Sequence, residues 1–238
     1  MKKHIPNSIT CMNLICGCIA TVCAAHAYEH PASYVWAVAF IILGAVFDFF
    51  DGMSARLLGV SSPIGKELDS LADVITFGVA PSMMLFSLFF EVEYPEWMLP
   101  LTGVMPYTAF IMAAFSALRL AKFNLDTRQA TSFIGVPTPA NALFWGSLVV
   151  GQHAFLTSYL FNAAFLFLFM LAASFLLVAE IPLFALKFKN LSWRDNSIKY
   201  IFLLGCLPCI FFGASAFAAI IVWYIALSVA QLFITSRK

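Results

Sequence analysis

Charged residues are scarce in this sequence, and their scarcity excludes an ordinary water-soluble domain. Asp, Glu, Lys and Arg make up 11% of the 238 residues, whereas 62% are hydrophobic; a soluble domain typically carries about 25% charged residues. The formal net charge of +1 gives no reason to expect a nucleic-acid partner. Apolar runs extend from Thr10 to Thr235 and leave no room for a soluble unit. We therefore expect a single integral membrane domain over residues 1–238.

Patterns typical of zinc sites are also missing. The sequence has four His and six Cys, and every Cys lies in an apolar run where a thiol packs as an ordinary helix residue. Neither the pair Cys16/Cys18 nor the pair Cys206/Cys209 has further Cys or His partners at zinc-ligand spacing. These spacings argue against a thiolate metal site.

The start of the chain imitates a secretory signal peptide, because Lys2 and Lys3 precede an apolar run. Asn7, Thr10 and Asn13, however, place polar side chains on one helical face, which a cleaved leader does not require. We interpret this segment as the first membrane span, lining a substrate site.

The apolar runs predict about eight spanning helices, since a span needs roughly 20 mostly apolar residues. The predicted spans lie near residues 9–28, 34–58, 68–90, 98–121, 138–156, 159–185, 198–213 and 215–235. With the N-terminus inside, all 13 Lys and Arg residues fall on the cytoplasmic side, as the positive-inside rule predicts. The fold expected is an all-α polytopic transmembrane bundle in the cell membrane, with both termini inside.

Four aspartates stand in two neighbouring predicted spans. Asp48 and Asp51 lie three residues apart near the end of the second span, and Asp69 and Asp73 lie four apart at the start of the third. Residues at these spacings share one helical face. Because the connection 57–68 is short, the two helices are expected to be antiparallel neighbours. The four carboxylates are then expected to converge at one membrane depth.

Converged carboxylates repel one another in a low dielectric unless cations compensate them. Oxygen ligands without His or Cys favour Mg²⁺, Mn²⁺ or Ca²⁺ over zinc. Two such ions sharing four aspartates would suit phosphoryl chemistry, where they neutralise phosphate oxygens and the leaving group.

A proton or cation pathway is the alternative from a different functional class. A pathway would spread acidic residues through the depth of the bilayer. Here the acids cluster at one end, beside Gly52, Ala55, Arg56 and Gly65, which are small or phosphate-binding residues. The spacing favours an enzyme over a cation-coupled transporter.

The residues around the aspartates form a longer pattern. It reads Asp48-x-x-Asp51-Gly52-x-x-Ala55-Arg56, then eight residues, then Gly65-x-x-x-Asp69-x-x-x-Asp73. This string resembles the signature of the CDP-alcohol phosphatidyltransferase family at all eight positions. The resemblance is strongest from Ile5 to about Asn141 and weak beyond Lys199. It implies a CMP-releasing transferase in a helical bundle, open to the cytoplasm, that commonly forms a homodimer.

The resemblance also implies roles for individual side chains. Asp48, Asp51, Asp69 and Asp73 would hold two divalent metal ions, Mg²⁺ or Mn²⁺, with Ca²⁺ also able to occupy the site. Asp73 would in addition accept the proton of the attacking hydroxyl. Gly52 would let cytidine approach the helix backbone. The residues implied to contact the CDP-activated lipid are Asn7, Thr10, Asn13, Gly52, Arg56 and Ser62.

Three further stretches resemble the bacterial and archaeal membrane type of phosphatidylserine synthase within this family. They are GKELDSLAD at 65–73 with FGVAP at 77–81, RLAKFN at 119–124, and FIGVPTP at 133–139. The implied donor is CDP-diacylglycerol and the implied acceptor is L-serine. The loop 119–139 would supply the acceptor-binding residues Arg119, Lys122, Asn124 and Arg128.

The basic residues of this loop leave the acceptor open. Arg119, Lys122 and Arg128 suit a carboxylate and equally suit the phosphate of glycerol 3-phosphate. Phosphatidylglycerophosphate synthase is therefore the alternative within the family, and the choice of serine rests on the resemblance. A membrane prenyltransferase is a third option, although its metal-binding aspartates follow other spacings.

Two positions depart from the resembling pattern. Lys122 stands where Arg is common, so a point charge replaces a bidentate fork. Glu180 stands where the serine synthases have a small polar residue. We interpret Glu180 as structural, either pairing with Lys187 or reaching the membrane interface.

Overall fold

The computed structural model describes residues 4–60, 62–126, 133–184 and 192–235 of the chain. The described chain is helical apart from two short strands. The α-helices are α1 His4–Ala25, α2 Ser33–Leu58, α3 Pro63–Asp73, α4 Ala80–Leu88, α5 Phe110–Leu125, α6 Thr138–Gly151, α7 His153–Leu156, α8 Ala163–Val178, α9 Trp193–Cys209 and α10 Ala216–Thr235. A π-turn spans Val74–Val79, and 3₁₀ turns span Glu96–Leu101, Met105–Ala109 and Ile210–Ser215. The strands are β1 Phe133–Ile134 and β2 Pro182–Leu183.

The link between α2 and α3 is held by two caps. Gly59 adopts the left-handed conformation (φ 61°) and its N–H donates to the carbonyls of Ala55 and Arg56, which ends α2. Ser62 then accepts a hydrogen bond from the Gly65 N–H at 3.0 Å, and Pro63 occupies the first turn of α3. These local signals reverse the chain within a few residues. The end of α2 and the start of α3 therefore lie at the same level, as the sequence predicted.

Immediately after Asp73 the third helix widens into the π-turn. In an α-helix the Phe77 carbonyl would need an N–H four residues later, which Pro81 lacks. The π-turn shifts the pattern, and the Ala80 N–H donates to the carbonyl of Ile75. Single π-turns of this kind occur frequently at functional sites.

The π-turn packs closely against α1 and α2, because Gly17 and Gly44 have no side chains at the contact. A Cβ added to Gly17 would lie 2.8 Å from the Thr76 Cα, and one added to Gly44 would lie 2.6 Å from the Thr76 Cγ2. The Thr76 hydroxyl donates to the Asn13 carbonyl at 3.0 Å. Small residues let membrane helices approach this closely, so α1, α2 and the π-turn form a rigid unit beside the aspartates.

At the opposite end of α2, a polar cluster joins three elements. The Tyr34 hydroxyl donates to a Glu91 oxygen at 2.6 Å, and the other Glu91 oxygen lies 3.0 Å from His153 Nε2. Tyr34 belongs to α2, Glu91 follows α4 and His153 begins α7. The cluster ties the connecting segments of this end together.

The second half of the chain carries a short antiparallel strand pair. Phe133 pairs with Leu183, and Ile134 pairs with Pro182. Gly135 has a positive φ of 74°, and a Cβ there would lie 2.5 Å from the Leu177 carbonyl oxygen. The predicted span 159–185 therefore ends earlier than expected, since α8 stops at Val178 and an extended segment follows. Glu180 lies exposed in this segment.

Five helical segments of the described chain are long and apolar enough to cross a membrane, so the chain is a multi-pass membrane protein. They are His4–Ala25, Ser33–Leu58, Pro63–Leu88, Met105–Leu125 and Asn196–Phe233, and Ala163–Val178 is a shorter apolar helix. The all-α membrane bundle is confirmed, whereas the predicted number of eight spans is not.

The predicted spans differ from the described helices in length and in how they are divided. Helix α6 has 14 residues and α8 has 16, fewer than the roughly 20 that a bilayer requires. The predicted spans 198–213 and 215–235 fall in one 38-residue apolar stretch. Gly213 (φ 58°) interrupts that stretch, and the rings of Phe202 and Tyr224 lie 5.6 Å apart, so α9 and α10 fold back on each other.

The predicted loop 119–139 begins as helix. Helix α5 continues to Leu125, which places Arg119, Lys122 and Asn124 on regular helix. Arg128 lies outside the described residues, as does Lys187, the partner suggested for Glu180.

Candidate functional site

The aspartates converge where α2 ends and α3 begins. One carboxylate oxygen from each of Asp48, Asp51 and Asp69 lies within 4.8 Å of the other two. Asp51 is buried, with 6% of its surface exposed, and the other two are half-buried. The helical spacing and the short link between α2 and α3 are sufficient to produce this arrangement.

These carboxylates keep unused acceptor atoms. Asp51 Oδ2 and Asp69 Oδ1 are buried without a hydrogen-bond partner among the described residues. Buried polar atoms are normally paired, and hard divalent cations take carboxylate oxygens as ligands. The donor set therefore fits a divalent metal ion held by Asp48, Asp51 and Asp69.

Asp73 stands one helical turn beyond Asp69 and is not one of the three clustered carboxylates. Only 8% of its surface is exposed. The Asn13 side-chain amide donates to Asp73 Oδ1 at 3.2 Å. Asn13 is itself fully buried and is held by Thr76 of the π-turn. One carboxylate oxygen of Asp73 is thus fixed from α1, which leaves the other for a different partner.

A cavity of about 540 Å³ opens beside the carboxylates. Asp51 and Asp69 lie on its wall. Five residues predicted to contact a CDP-activated lipid also line it, namely Asn7, Thr10, Gly52, Arg56 and Ser62. Asn13, predicted for the same role, lies behind the wall on Asp73. The structure therefore brings five of the six residues to one space.

The cavity wall contains an open stretch of helix backbone at Gly52. A Cβ added there would have no heavy atom within 4 Å, so the backbone faces free space. Arg56 stands one turn later, and its Nε donates to the Gly52 carbonyl at 3.0 Å. The Ser62 hydroxyl is already engaged as the cap of α3. Backbone, cation and carboxylates thus border the same cavity.

Lys66 is a cavity residue that the sequence analysis did not select. It lines the wall, and its Nζ donates to the Asn124 carbonyl at 3.0 Å. Lys66 directly follows Gly65 of the signature, and this position could have identified it as a site residue from the sequence. Lys66 and Arg56 thus give the cavity two cationic side chains in addition to its carboxylates.

The residues predicted to bind the acceptor differ in burial and in their contacts. Arg119 is 7% exposed, its guanidinium carbon lies 5.3 Å from the centre of the Phe123 ring, and it is close enough to Asp73 for a favourable electrostatic interaction. Its Nε has no partner within the described residues. The Asn124 amide donates to the Ser70 hydroxyl at 2.7 Å, and Lys122 is exposed. Arg119 is thus the predicted acceptor residue placed deepest beside Asp73.

Comparisons with known proteins agree with this geometry. The family model for CDP-alcohol phosphatidyltransferase matches residues 3–230. A CDP-diacylglycerol–serine O-phosphatidyltransferase of Bacillus subtilis is 37% identical over 179 residues, which cover 75% of this chain and 89% of the relative. Enzymes with the same name from Methanocaldococcus jannaschii and Mycobacterium leprae are 35% and 31% identical, and the alignments cover 67% and 75% of this chain. These alignments span 65% and 57% of those two relatives.

We expect Asp69→Asn to weaken divalent-metal binding, because the amide removes one charge from the three clustered carboxylates. Binding of Mn²⁺ to the purified protein, followed by electron paramagnetic resonance, should weaken by about tenfold or more, the loss that corresponds to about 1.4 kcal/mol. The matched control is Glu67→Gln, which removes an exposed carboxylate from the same helix. Equal Mn²⁺ affinity in the wild type and Asp69→Asn would contradict the assignment of Asp69.

Proposed function

The chain belongs to the CDP-alcohol phosphatidyltransferase family, and we propose that it transfers the phosphatidyl group of CDP-diacylglycerol to L-serine, giving phosphatidylserine and CMP. One observation carries the proposal: a cavity with an open helix backbone at Gly52 is lined by Asp51 and Asp69, two of the three clustered carboxylates. The activity named for the relatives supports serine as the acceptor.

The nucleotide part of the donor fits the cavity of about 540 Å³. Cytidine would lie along the open backbone at Gly52, where no side chain intervenes. Arg56 and Lys66 would meet the diphosphate, since guanidinium and ammonium groups both bind phosphate oxygens. Asn7 and Thr10 of α1 would complete the wall. The acyl chains of the donor would remain in the bilayer.

We propose that Asp48, Asp51, Asp69 and Asp73 together hold two divalent metal ions, either Mg²⁺ or Mn²⁺. Bound divalent metal supplies charge that neutralises the diphosphate and the departing phosphate of CMP. The unpaired oxygens of Asp51 and Asp69 support this assignment.

Asp73 would act as the general base. Its Oδ1 accepts the Asn13 amide, so the second oxygen remains free to take the proton of the serine hydroxyl. The serine oxygen then forms a bond to the lipid-bearing phosphorus as the bond from that phosphorus to the CMP oxygen breaks. The proton remains on Asp73, and the electron pair of the broken bond leaves with CMP. Asn13 is thus a positioning residue in this proposal.

Arg119 would bind the serine carboxylate. The buried guanidinium interacts electrostatically with Asp73, and its Nε–H has no partner within the described residues. A carboxylate on Arg119 would direct the serine hydroxyl toward Asp73, and such positioning contributes substantially to catalysis. Lys122 and Asn124 would also contact the acceptor, with Asn124 held in place by Ser70. Arg128, which lies outside the described residues, is proposed for the same role from the sequence.

We further propose that the site faces the cytoplasm, that both termini lie inside, and that the protein forms a homodimer as a single domain. The distribution of Lys and Arg along the sequence supports the orientation. CDP-diacylglycerol and serine are then the substrates, with the lipid delivered from the bilayer.

The acceptor assay tests the function directly. Purified protein in detergent with Mg²⁺ or Mn²⁺ is supplied with CDP-diacylglycerol and, separately, with serine, glycerol 3-phosphate and inositol phosphate. We expect CMP release that depends on serine, with phosphatidylserine as the lipid product. Release only with glycerol 3-phosphate would support the alternative synthase, and ion-dependent solute uptake without CMP release would support a transporter.

We expect Asp73→Asn to reduce serine-dependent CMP release by about 100-fold or more, the range typical of a lost general base. The amide keeps the shape of the side chain but cannot take the proton. Glu96→Gln is the control, because Glu96 is an exposed carboxylate in the 3₁₀ turn Glu96–Leu101. Wild-type turnover in Asp73→Asn would refute the proposed base.

We expect Arg119→Lys to raise the KM for serine by about tenfold, because Lys keeps the charge but lacks the bidentate fork. The KM for CDP-diacylglycerol should stay within about twofold, since Arg119 does not line the nucleotide cavity. Steady-state kinetics with each substrate varied in turn separates the two constants. A selective rise in the KM for CDP-diacylglycerol would place Arg119 on the donor instead.

A further inference from the structure

A second cavity, of about 270 Å³, lies between α6, α8 and α10, and we call it the lateral groove. It shares no lining residue with the cavity beside the carboxylates. Ten of its eleven lining residues are aliphatic or aromatic, among them Phe144, Phe169 and Ile225. The remaining lining residue is Asn141. The groove is therefore an apolar site with a single polar group.

Asn141 is unusual within this apolar wall. It is 3% exposed, and its side-chain Nδ2 is buried without a hydrogen-bond partner among the described residues. A buried N–H group without an acceptor is unfavourable, and native proteins rarely leave one. A ligand that brings an acceptor oxygen to this point would satisfy the amide.

The groove opens sideways, toward the hydrocarbon of the bilayer. Val222 is 54% exposed and Phe169 is 40% exposed, and Ala172 and Ala226 beside them are also exposed. These residues belong to helices whose outer surfaces are apolar. An occupant entering here would come from the lipid phase.

The polar group of the groove lies near the end of the bundle that carries the catalytic residues. Asn141 stands in the first turn of α6. The Val136 N–H, just before α6, donates to the Leu176 carbonyl of α8. This end of the bundle faces the interfacial region, where the ester groups of phospholipids lie at the boundary of the hydrocarbon core.

We propose that the lateral groove binds one acyl chain of a bilayer glycerophospholipid, whose ester carbonyl accepts a hydrogen bond from Asn141 Nδ2. The acyl chain packs against the apolar residues of the groove, and the ester carbonyl reaches the unpaired Nδ2 of Asn141. We assign the occupant as a resident membrane lipid, since the groove shares no lining residue with the reaction cavity; an acyl chain of the donor is the competing occupant that the competition experiment distinguishes. The inference does not depend on the identity of the acceptor alcohol.

Photo-crosslinking tests the proposal on the full chain in lipid nanodiscs. The probe is a phosphatidylglycerol that carries a diazirine in one acyl chain, and adducts are mapped by mass spectrometry of peptides. We expect adducts on residues of the lateral groove. Adducts confined to other surfaces, or a groove covered by a second copy of the chain and free of adducts, would overturn the proposal.

Two variants address the two parts of the site. Ala226→Trp narrows the opening and should reduce groove adducts strongly, whereas Leu203→Trp, at an exposed position on α9 outside the groove, should not. Asn141→Leu keeps the side-chain size and removes the donor. It should reduce adducts about fivefold, the factor that one ordinary hydrogen bond represents. Size-exclusion chromatography confirms that each variant is folded.

A competition experiment shows whether the acyl chain in the groove belongs to a bilayer lipid or to the substrate. Excess CDP-diacylglycerol should leave the groove adducts unchanged if a bilayer lipid occupies the site. Loss of the adducts under this condition would assign the groove to the substrate and overturn the proposal. Equal labelling of the wild type, Ala226→Trp and Asn141→Leu would also overturn it.

Discussion

The repulsion between carboxylates held close together in a low-dielectric bundle is the constraint on which the site depends. Asp48, Asp51 and Asp69 place oxygens within 4.8 Å of one another. Each ionised pair at that distance costs about 3 kcal/mol at an effective dielectric constant near 20. Two of the oxygens are buried and lack partners within the described chain. A bound cation would offset this repulsion, so these carboxylates could hold a metal ion.

The bundle must be rigid to hold these charges together. Rigidity comes from close packing around Thr76, where Gly17 and Gly44 leave no space for a side chain. The same contact fixes Asn13, which in turn orients one oxygen of Asp73. Gly17 and Gly44 therefore influence the site through backbone distance, although neither one lines the cavity.

Features set by local spacing could be predicted from the sequence, and features set by packing could not. The intervals between the aspartates, with the Gly59 and Ser62 caps, are local, and they bring together three of the four carboxylates that were expected to converge. The missing N–H of Pro81 is a local signal for the π-turn after Asp73, but the packing of Thr76 of this turn against Gly17 and Gly44 depends on neighbouring helices. The position of Asn13 behind the cavity depends on that turn. The predicted number of eight spans is not confirmed, and one reason is that hydropathy does not reveal the extended segment that ends α8 at Val178. The break at Gly213, by contrast, falls where the predicted spans 198–213 and 215–235 divide.

The choice between acceptors can be argued from the burial of charge. A serine carboxylate carries one negative charge, whereas a phosphate monoester carries about 1.5 to 2 at neutral pH. Among the described residues, Arg119 is the one buried cation, and it lies beside Asp73. Lys122 is exposed to solvent, and Lys66 is directed to the Asn124 carbonyl. One buried guanidinium balances one carboxylate, while a phosphate placed there would retain excess negative charge next to Asp73. If Arg119 binds the acceptor as proposed, its single buried charge suits serine better than glycerol 3-phosphate, an argument from burial that the sequence alone did not supply.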